Sequence, residues 1–416
     1  MALDHFGILC YHYQSLALTV GVYSQRDLAQ LCRLYYPFKW NVSIWAMTEI
    51  ALLASDTQEV LGTAISLKIL FYIEIFYGVF FSLLLVFLML FLQNKGQSFF
   101  EKIFAMFIWI MGICFFCNFF VIEKDWAGIV RGFVPSIEIK DFSYGISLLG
   151  AILMPPNLFL HSSLVNTRKI NRQNRYRLLF SSNRSFEIQT VHKYFNLETG
   201  IIIVVSMTIN FFIIITFSHF SQEGGLIQLK DAGMVLEQSF GKWAKYLWAI
   251  GLFSSGQSAT MAGTITGQYM MDGFLNLKIS RKKRILIARL ITLVPCLFIA
   301  KFAEIEMVYI LLNMVQFIQL PFVLIPLFKF IENEKIMNGY RINKYKLIAL
   351  QIVSLLFVIV NFIQMLYNIP STFTWIFWFS LGSGVYIVLL LKLKNIPIVY
   401  KEIKMTEMEY ISSLEC

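Results

Sequence analysis

The constraint that dominates this chain is a recurrence of long uncharged apolar runs. A helix crossing the hydrocarbon of a bilayer needs roughly 20 largely apolar residues. Runs of that length lie at 5–25, 75–94, 103–122, 142–167, 199–222, 246–271 and 307–328. The uncharged stretch from Leu347 to Leu391 is too long for one helix, and Tyr367-Asn-Ile-Pro-Ser-Thr372 within it is a turn signal that divides it into two. Two further spans carry charge: Val42 to Leu67, with Glu49, Asp56 and Glu59, and Ile285 to Ala300, with Arg289. The expectation is therefore an all-α polytopic membrane protein with about 11 transmembrane helices.

Composition excludes the alternatives. Hydrophobic side chains make up 57% of the 416 residues, charged ones 14%, and mean hydropathy is +0.66. A soluble domain carries about 25% charged residues, so a water-facing surface is out of reach. Disorder is excluded because 40 Phe, with abundant Ile and Leu, supply ample apolar surface to offset chain entropy. The net charge of +10 reads as basic loops on one side of the membrane rather than nucleic-acid binding. Alternate loops and the tail collect 26 Lys and Arg on the side of the Arg26–Lys39 loop against 8 on the other. The positive-inside rule then puts the C-terminal tail in the cytoplasm and the N-terminus outside.

The six cysteines show no disulfide-framework spacing. Cys114 and Cys117 form a C-x-x-C inside an uncharged span, where packing is the plainer reading than redox or metal chemistry. The segment from His5 lacks a basic n-region and a cleavage site, so it does not read as a signal peptide. The polar insertion from Asn166 to Asn196 reads as a solvated loop, with contact to anionic headgroups as the alternative. Asn41-Val-Ser and Asn183-Arg-Ser are formal glycosylation sequons, but both fall on the expected cytoplasmic side.

Ionisable groups inside a span cost about 2.5–3.5 kcal/mol each on insertion scales and mark a pathway or a partner. Asp56 is rotated only about 20° from Glu49, seven residues earlier, and Glu59 follows at i+3, so one stripe holds all three. Arg289 is the basic residue placed to pair across helices with Asp56 or Glu59. Two readings stand: an inert ion pair that fixes register, and a proton path. Gly150-Ala-Ile-Leu-Met-Pro-Pro-Asn157 sits in mid-span. Pro155 and Pro156 lack the N–H groups that would bond the carbonyls of Ala151 and Ile152, so the helix must break there. Freed carbonyls in lipid are tolerated only where protein, water or an ion satisfies them. That makes Ala151 a candidate oxygen ligand and Met154 a soft thioether ligand suited to transition metals, against a plain proline kink. His161, one turn beyond Asn157, is either a packing residue or a proton relay. In Gly256 to Gln268, Ala259, Gly263 and Gly267 recur every four residues, the spacing of close helix packing. No G-x-x-x-x-G-K-[ST] or H-E-x-x-H occurs, so neither ATP-driven transport nor a zinc protease is supported, and the chain does not read as an enzyme.

Taken in order, these segments resemble the natural resistance-associated macrophage protein (Nramp) family of proton-coupled divalent-metal transporters. Gln25 to Arg33 resembles the loop after the family's second helix and Ala54 to Val60 its third helix. Met154-Pro-Pro-Asn-Leu-Phe-Leu-His161-Ser resembles the sixth-helix motif M-P-H-N-x-x-L-H-S. Gly251 to Phe274 resembles the eighth helix, and Gln319 to Phe322 the tenth. The resemblance implies a five-plus-five inverted-repeat bundle formed by one integral membrane domain over 1–416. Residues 1–141 would be helices two to five of the first repeat, 142–330 the second repeat, 345–394 helices eleven and twelve, and 395–416 a cytoplasmic tail. It implies Mn²⁺ or Fe²⁺ as transported substrate together with protons, no resident cofactor, and a plasma membrane or endomembrane location. Ala151, Met154 and Asn313 would meet the metal; Asp56, Glu59, His161 and Arg289 would line the proton route. The family's D-P-G-N first helix has no counterpart, and Pro156 replaces the first histidine of the sixth-helix motif. The expectation is thus a chain lacking the first helix, with a non-transporting or truncated membrane relative of regulatory or interaction role as the competing reading.

Overall fold

The computed structural model describes residues 2–93, 97–121, 126–132, 142–167, 184–221, 228–277, 281–367 and 373–398. Its helices, in chain order, are α1 (Ala2–Ser24), α2 (Leu28–Tyr35), α3 (Phe38–Phe71), α4 (Ile75–Gln93), α5 (Gln97–Val121), α6 (Trp126–Gly132), α7 (Phe142–Ile152) and α8 (Pro155–Thr167). There follow α9 (Arg184–Ser221), α10 (Ala232–Phe240), α11 (Lys242–Leu275), α12 (Arg281–Phe302), α13 (Ile305–Glu332), α14 (Lys344–Tyr367) and α15 (Phe373–Asn395). Among the described residues, ten helices of 19 to 38 residues plus the broken pair α7–α8 account for the eleven expected crossings. Judged on length and apolarity together, four described stretches qualify, Lys102–Val121, Ser147–Asn166, Ile188–Ser218 and Ile305–Glu332, or five if the bent pair Phe38–Phe71 and Ile75–Ser82 is one span. Helices of the polar interior fall short because buried Asp, Gln, Ser and Thr dilute their hydropathy. On α3 these are Thr48, Ser55, Asp56 and Thr57, and on α11 Gln257, Ser258 and Thr260.

Lipid-facing and protein-facing sides separate as a bilayer solvent demands. Ile201, Ile202, Val204 and Val205 of α9 are each about half exposed or more, as are Val294 and Phe298 of α12. Such apolar exposure is stable only against hydrocarbon. The interior is built around α3 and α11, which pack along their length. A second core joins α1, α2 and α13 through Tyr13, Leu16, Leu31, Phe322, Leu327 and Phe330, all essentially inaccessible. α3 leaves through Tyr72 in the left-handed conformation (φ 59°), whose N–H caps the Lys68 carbonyl, and the chain then bends by 117° into α4. The polar insertion was expected to run to Asn196. In the structure helix α9 already begins at Arg184, because residues 184–199 contain neither Gly nor Pro and interleave Phe186, Ile188, Val191 and Phe195 at helical spacing.

Short helix α2 is fixed by a capping box: the Asp27 carboxylate accepts from Gln30 N at 2.8 Å while Asp27 N donates to Gln30 Oε1 at 3.3 Å. Burial pushes the Asp27 carboxyl up to about 6 from an ordinary 3.8. Between those values the fold holds a proton that the unfolded chain has released. The stabilisation from Asp27 is therefore complete below pH 3.8 and is lost as pH rises through about 6. Asn caps as well as Asp without ionising, so Asp27→Asn is expected to raise the melting temperature at pH 8 and leave it unchanged at pH 4. A detergent-solubilised thermal melt at both pH values checks this, and an equal shift at both would refute it.

Candidate functional site

The break falls where the twin prolines require it. α7 closes with Leu153 N on the Leu149 carbonyl at 2.9 Å, and α8 opens with Asn157 N on the Met154 carbonyl at 3.1 Å, leaving Leu153 and Met154 outside helix. One freed carbonyl finds a partner: Cys10 Sγ of α1 donates to Ile152 O at 3.7 Å. The half-buried Met154 is positioned by its own neighbour, with Asn157 Nδ2 donating to Met154 Sδ at 3.5 Å. Behind the break, Gly150 lies directly on the Asn313 carbonyl of α13, leaving no space for a Cβ.

Asn313 belongs to a polar layer that ties α3, α7 and α13 together. Its Nδ2 donates to Ser147 Oγ at 3.1 Å, and its Oδ1 accepts from Gln58 Nε2 at 2.7 Å. Gln58 Oε1 accepts from Gln316 Nε2 at 2.9 Å, and the Gln58 carbonyl accepts from Tyr309 OH at 2.8 Å. A cation taking the Asn313 oxygen would compete with Gln58 for it. The donors gathered here, backbone carbonyl, thioether and amides, are all neutral. Among the described residues no group of three or more His, Cys, Asp or Glu could hold a metal.

The charges lie on another face of α3. Gln58 follows Asp56 by two residues, a rotation of about 200°, so α3 turns its amide to α13 and its carboxylates to α11 and α12. Arg289 Nη1 of α12 sits 3.1 Å from Asp56 Oδ2, with 3% and 5% of the two side chains exposed. Arg289 Nη2 also donates to the Thr260 carbonyl at 3.0 Å and to Thr264 Oγ1 at 2.7 Å. Of the two pairings open to Arg289 in the sequence, the structure selects Asp56. Glu59 Oε1 instead accepts from Ser55 Oγ at 3.0 Å. Gly263 of α11 faces both acids: a Cβ there would stand 2.6 Å from Asp56 Oδ1 and 3.5 Å from Glu59 Oε2. A cavity of about 20 Å³ between Glu49, Asp56, Gly267, Gln268 and Arg289 has room for about one water.

Of the sequence-predicted residues, Ala151, Met154 and Asn313 thus gather at the break, and Asp56, Glu59 and Arg289 gather behind α3. His161 Nε2 lies 3.2 Å from Thr199 Oγ1 of α9. The Gly256–Gly267 stripe is a packing seam, with Gly256 against Thr63, Gly263 against Asp56 and Gly267 against Leu52. Cys114 and Cys117 are both free thiols. Asn41 is 2% exposed and its Nδ2 donates to the Phe274 carbonyl at 2.8 Å, leaving no room for a glycan; Asn183 lies outside the described residues. Sequence reasoning missed Gln58, Tyr309 and Gln316. The available signal was the i, i+3 spacing of Asn313 and Gln316 on one face of α13, but uncharged amides do not stand out in a hydropathy reading.

A bundle of bilayer-length helices, one of them broken in mid-span, with a buried ion pair behind α3, has the architecture of inverted-repeat secondary transporters. The solved manganese transporter of Eremococcus coleocola, in complex with an aromatic bis-isothiourea compound, superposes with a TM-score of 0.77 at 24% identity, covering 94% of this chain and 86% of its own. The fold class is therefore the expected five-plus-five all-α bundle. The natural resistance-associated macrophage protein-like (Nramp) family model matches residues 5–367, and the chain belongs to that family. Relatives include the metal transporter nramp1 homolog of Dictyostelium discoideum, 38% identical over 80% of this chain. Metal transporter Nramp3 of Arabidopsis thaliana is 35% identical over 83% of this chain and 69% of its own length, and natural resistance-associated macrophage protein 2 of Homo sapiens is 33% identical over 79% of this chain. The chain spans 62% of the length of the Dictyostelium and human relatives.

Proposed function

We propose that this protein moves divalent transition-metal cations, Mn²⁺ or Fe²⁺, across a membrane by secondary transport coupled to protons. The observation that carries this reading is the break at Leu153–Met154, a carbonyl-rich, thioether-bearing turn whose preceding residue Gly150 packs on Asn313 of the amide layer. In this reading the Ala151 carbonyl, the Met154 sulfur and the Asn313 oxygen take the metal. The sulfur favours transition metals over hard Ca²⁺. Asp56, Glu59, Arg289 and His161, the last in contact with Thr199 of α9, hold and pass the proton. The membrane is a plasma membrane or an endomembrane, with the C-terminal tail on the cytoplasmic side where basic residues accumulate.

The competing reading is a non-transporting membrane protein with an interaction or regulatory role; relatives that are named metal transporters do not favour it. Metal uptake into proteoliposomes separates the two. Transport predicts Mn²⁺ uptake with acidification reported by an internal pH dye, and in Met154→Ala about a tenfold loss of preference for Mn²⁺ over Ca²⁺, the worth of roughly one soft ligand contact. No uptake, or uptake indifferent to Met154→Ala, overturns the metal-site assignment.

A further inference from the structure

A second cavity is used by none of this chemistry. Its volume is about 450 Å³, within the range of about 300–1,000 Å³ typical of small-molecule sites. It lies between the α1 face bearing Ser15 and Thr19, the start of α9, and the segment leading into α14. The walls are fixed by their own hydrogen bonds: Ser15 Oγ donates to Asn196 Oδ1 at 2.6 Å, and Thr19 Oγ1 lies 2.9 Å from His192 Nε2. Tyr340 is stacked on Tyr23 with ring centroids 4.0 Å apart, and Asn338 Nδ2 donates to the Tyr23 carbonyl at 2.7 Å. Among the described residues, the lining holds Lys193, Lys346 and His192 but no Asp or Glu.

Its setting distinguishes it from an ordinary solvated basic patch. Immediately beyond Lys193 on α9, Tyr194 is 70% exposed and Leu197 62%, and Ile201 continues the apolar surface. Beside Lys346 on α14, Tyr345 is 85% exposed and Ile348 51%. Exposed tyrosines above exposed aliphatics are the mark of the headgroup level. The two lysines therefore stand where a lipid phosphate lies, with apolar rails below for its acyl chains.

We propose that this cavity binds the phosphate-bearing headgroup of an anionic phospholipid through Lys193 and Lys346. The proposal is independent of whether the chain transports metal. It is tested on the purified full chain by native mass spectrometry, comparing retention of phosphatidylglycerol and phosphatidylcholine with identical acyl chains. The expected result is selective retention of phosphatidylglycerol that falls about thirtyfold in Lys193→Gln/Lys346→Gln, since each basic residue near a membrane surface is worth about 1 kcal/mol and two are lost. Lys193→Arg/Lys346→Arg is expected to keep it. Lys242→Gln/Lys301→Gln removes the same charge elsewhere and is expected to change nothing. Equal loss in both Gln pairs would mean diffuse electrostatics and overturn the site. Equal retention of the two lipids, or displacement by millimolar inorganic phosphate, would overturn the lipid assignment, the latter in favour of a soluble anion.

Discussion

Arg289→Met is expected to destabilise the protein by about 3–5 kcal/mol, the usual cost of removing one partner from a buried charge pair. Arg289 is held by Asp56 at 3.1 Å, by the Thr260 carbonyl at 3.0 Å and by Thr264 at 2.7 Å, in surroundings that expose 3% of its side chain. Removing the guanidinium strands an Asp56 carboxylate that is itself 5% exposed and has a glycine, not a donor, at its other oxygen. The double variant Asp56→Asn/Arg289→Met is expected to recover most of the loss, because two neutral groups of similar volume need no counter-charge. Fluorescence-detected size exclusion after graded heating measures both. A single variant as stable as the parent would mean that Asp56 is already protonated, or hydrated through the adjoining 20 Å³ cavity. Transport gives the pair a second readout: if Asp56 carries the proton, the rescued double variant folds yet moves no protons with the metal.

The other large effect is expected at a glycine. Gly150→Ala places a methyl on the Asn313 carbonyl and within 3.2 Å of Phe317 Cβ. The obstructing atoms are backbone and Cβ of a helix, not the end of a flexible chain, so α7 and α13 must separate. Overpacking of this kind costs about 1–3 kcal/mol, which a bundle of this size survives. Displacing donors by about 1 Å, however, can cost roughly a hundredfold in a positioned site, and the displaced donors are Ala151, Met154 and Asn313. Mn²⁺ uptake is expected to fall about a hundredfold while the folded protein still elutes as a single species. Gly145→Ala, on the same helix with nothing within 4 Å of the added carbon, is the control and is expected to transport normally. Uptake surviving Gly150→Ala would detach the break from the transported ion.

Much of this was legible in the sequence because membranes make local chemistry decisive. Pro155 and Pro156 break a helix wherever they stand, so the interruption needed no tertiary information. Asp56 and Arg289 had to find relief from burial, and a single basic residue within the spans left few partners. The polar layer was not legible. Gln58, Asn313 and Gln316 bond each other from α3 and α13, more than 250 residues apart, and an amide in an apolar run carries no charge to demand a partner. Nor was the partner of His161, because its sequence neighbours do not reveal that α8 turns it to Thr199 on α9.

The sequence by itself determined the solvent, the crossings, the position of the break and the need for a buried ion pair, because each follows from an energy paid residue by residue: hydrocarbon length, a missing N–H, an ion out of water. The tertiary structure alone decided that Arg289 meets Asp56 rather than Glu59, that α3 separates the amides from the carboxylates, and that two lysines distant in the chain share one cavity. Those depend on helix rotation and docking, and many residues share the choice of angle, so no single spacing encodes it.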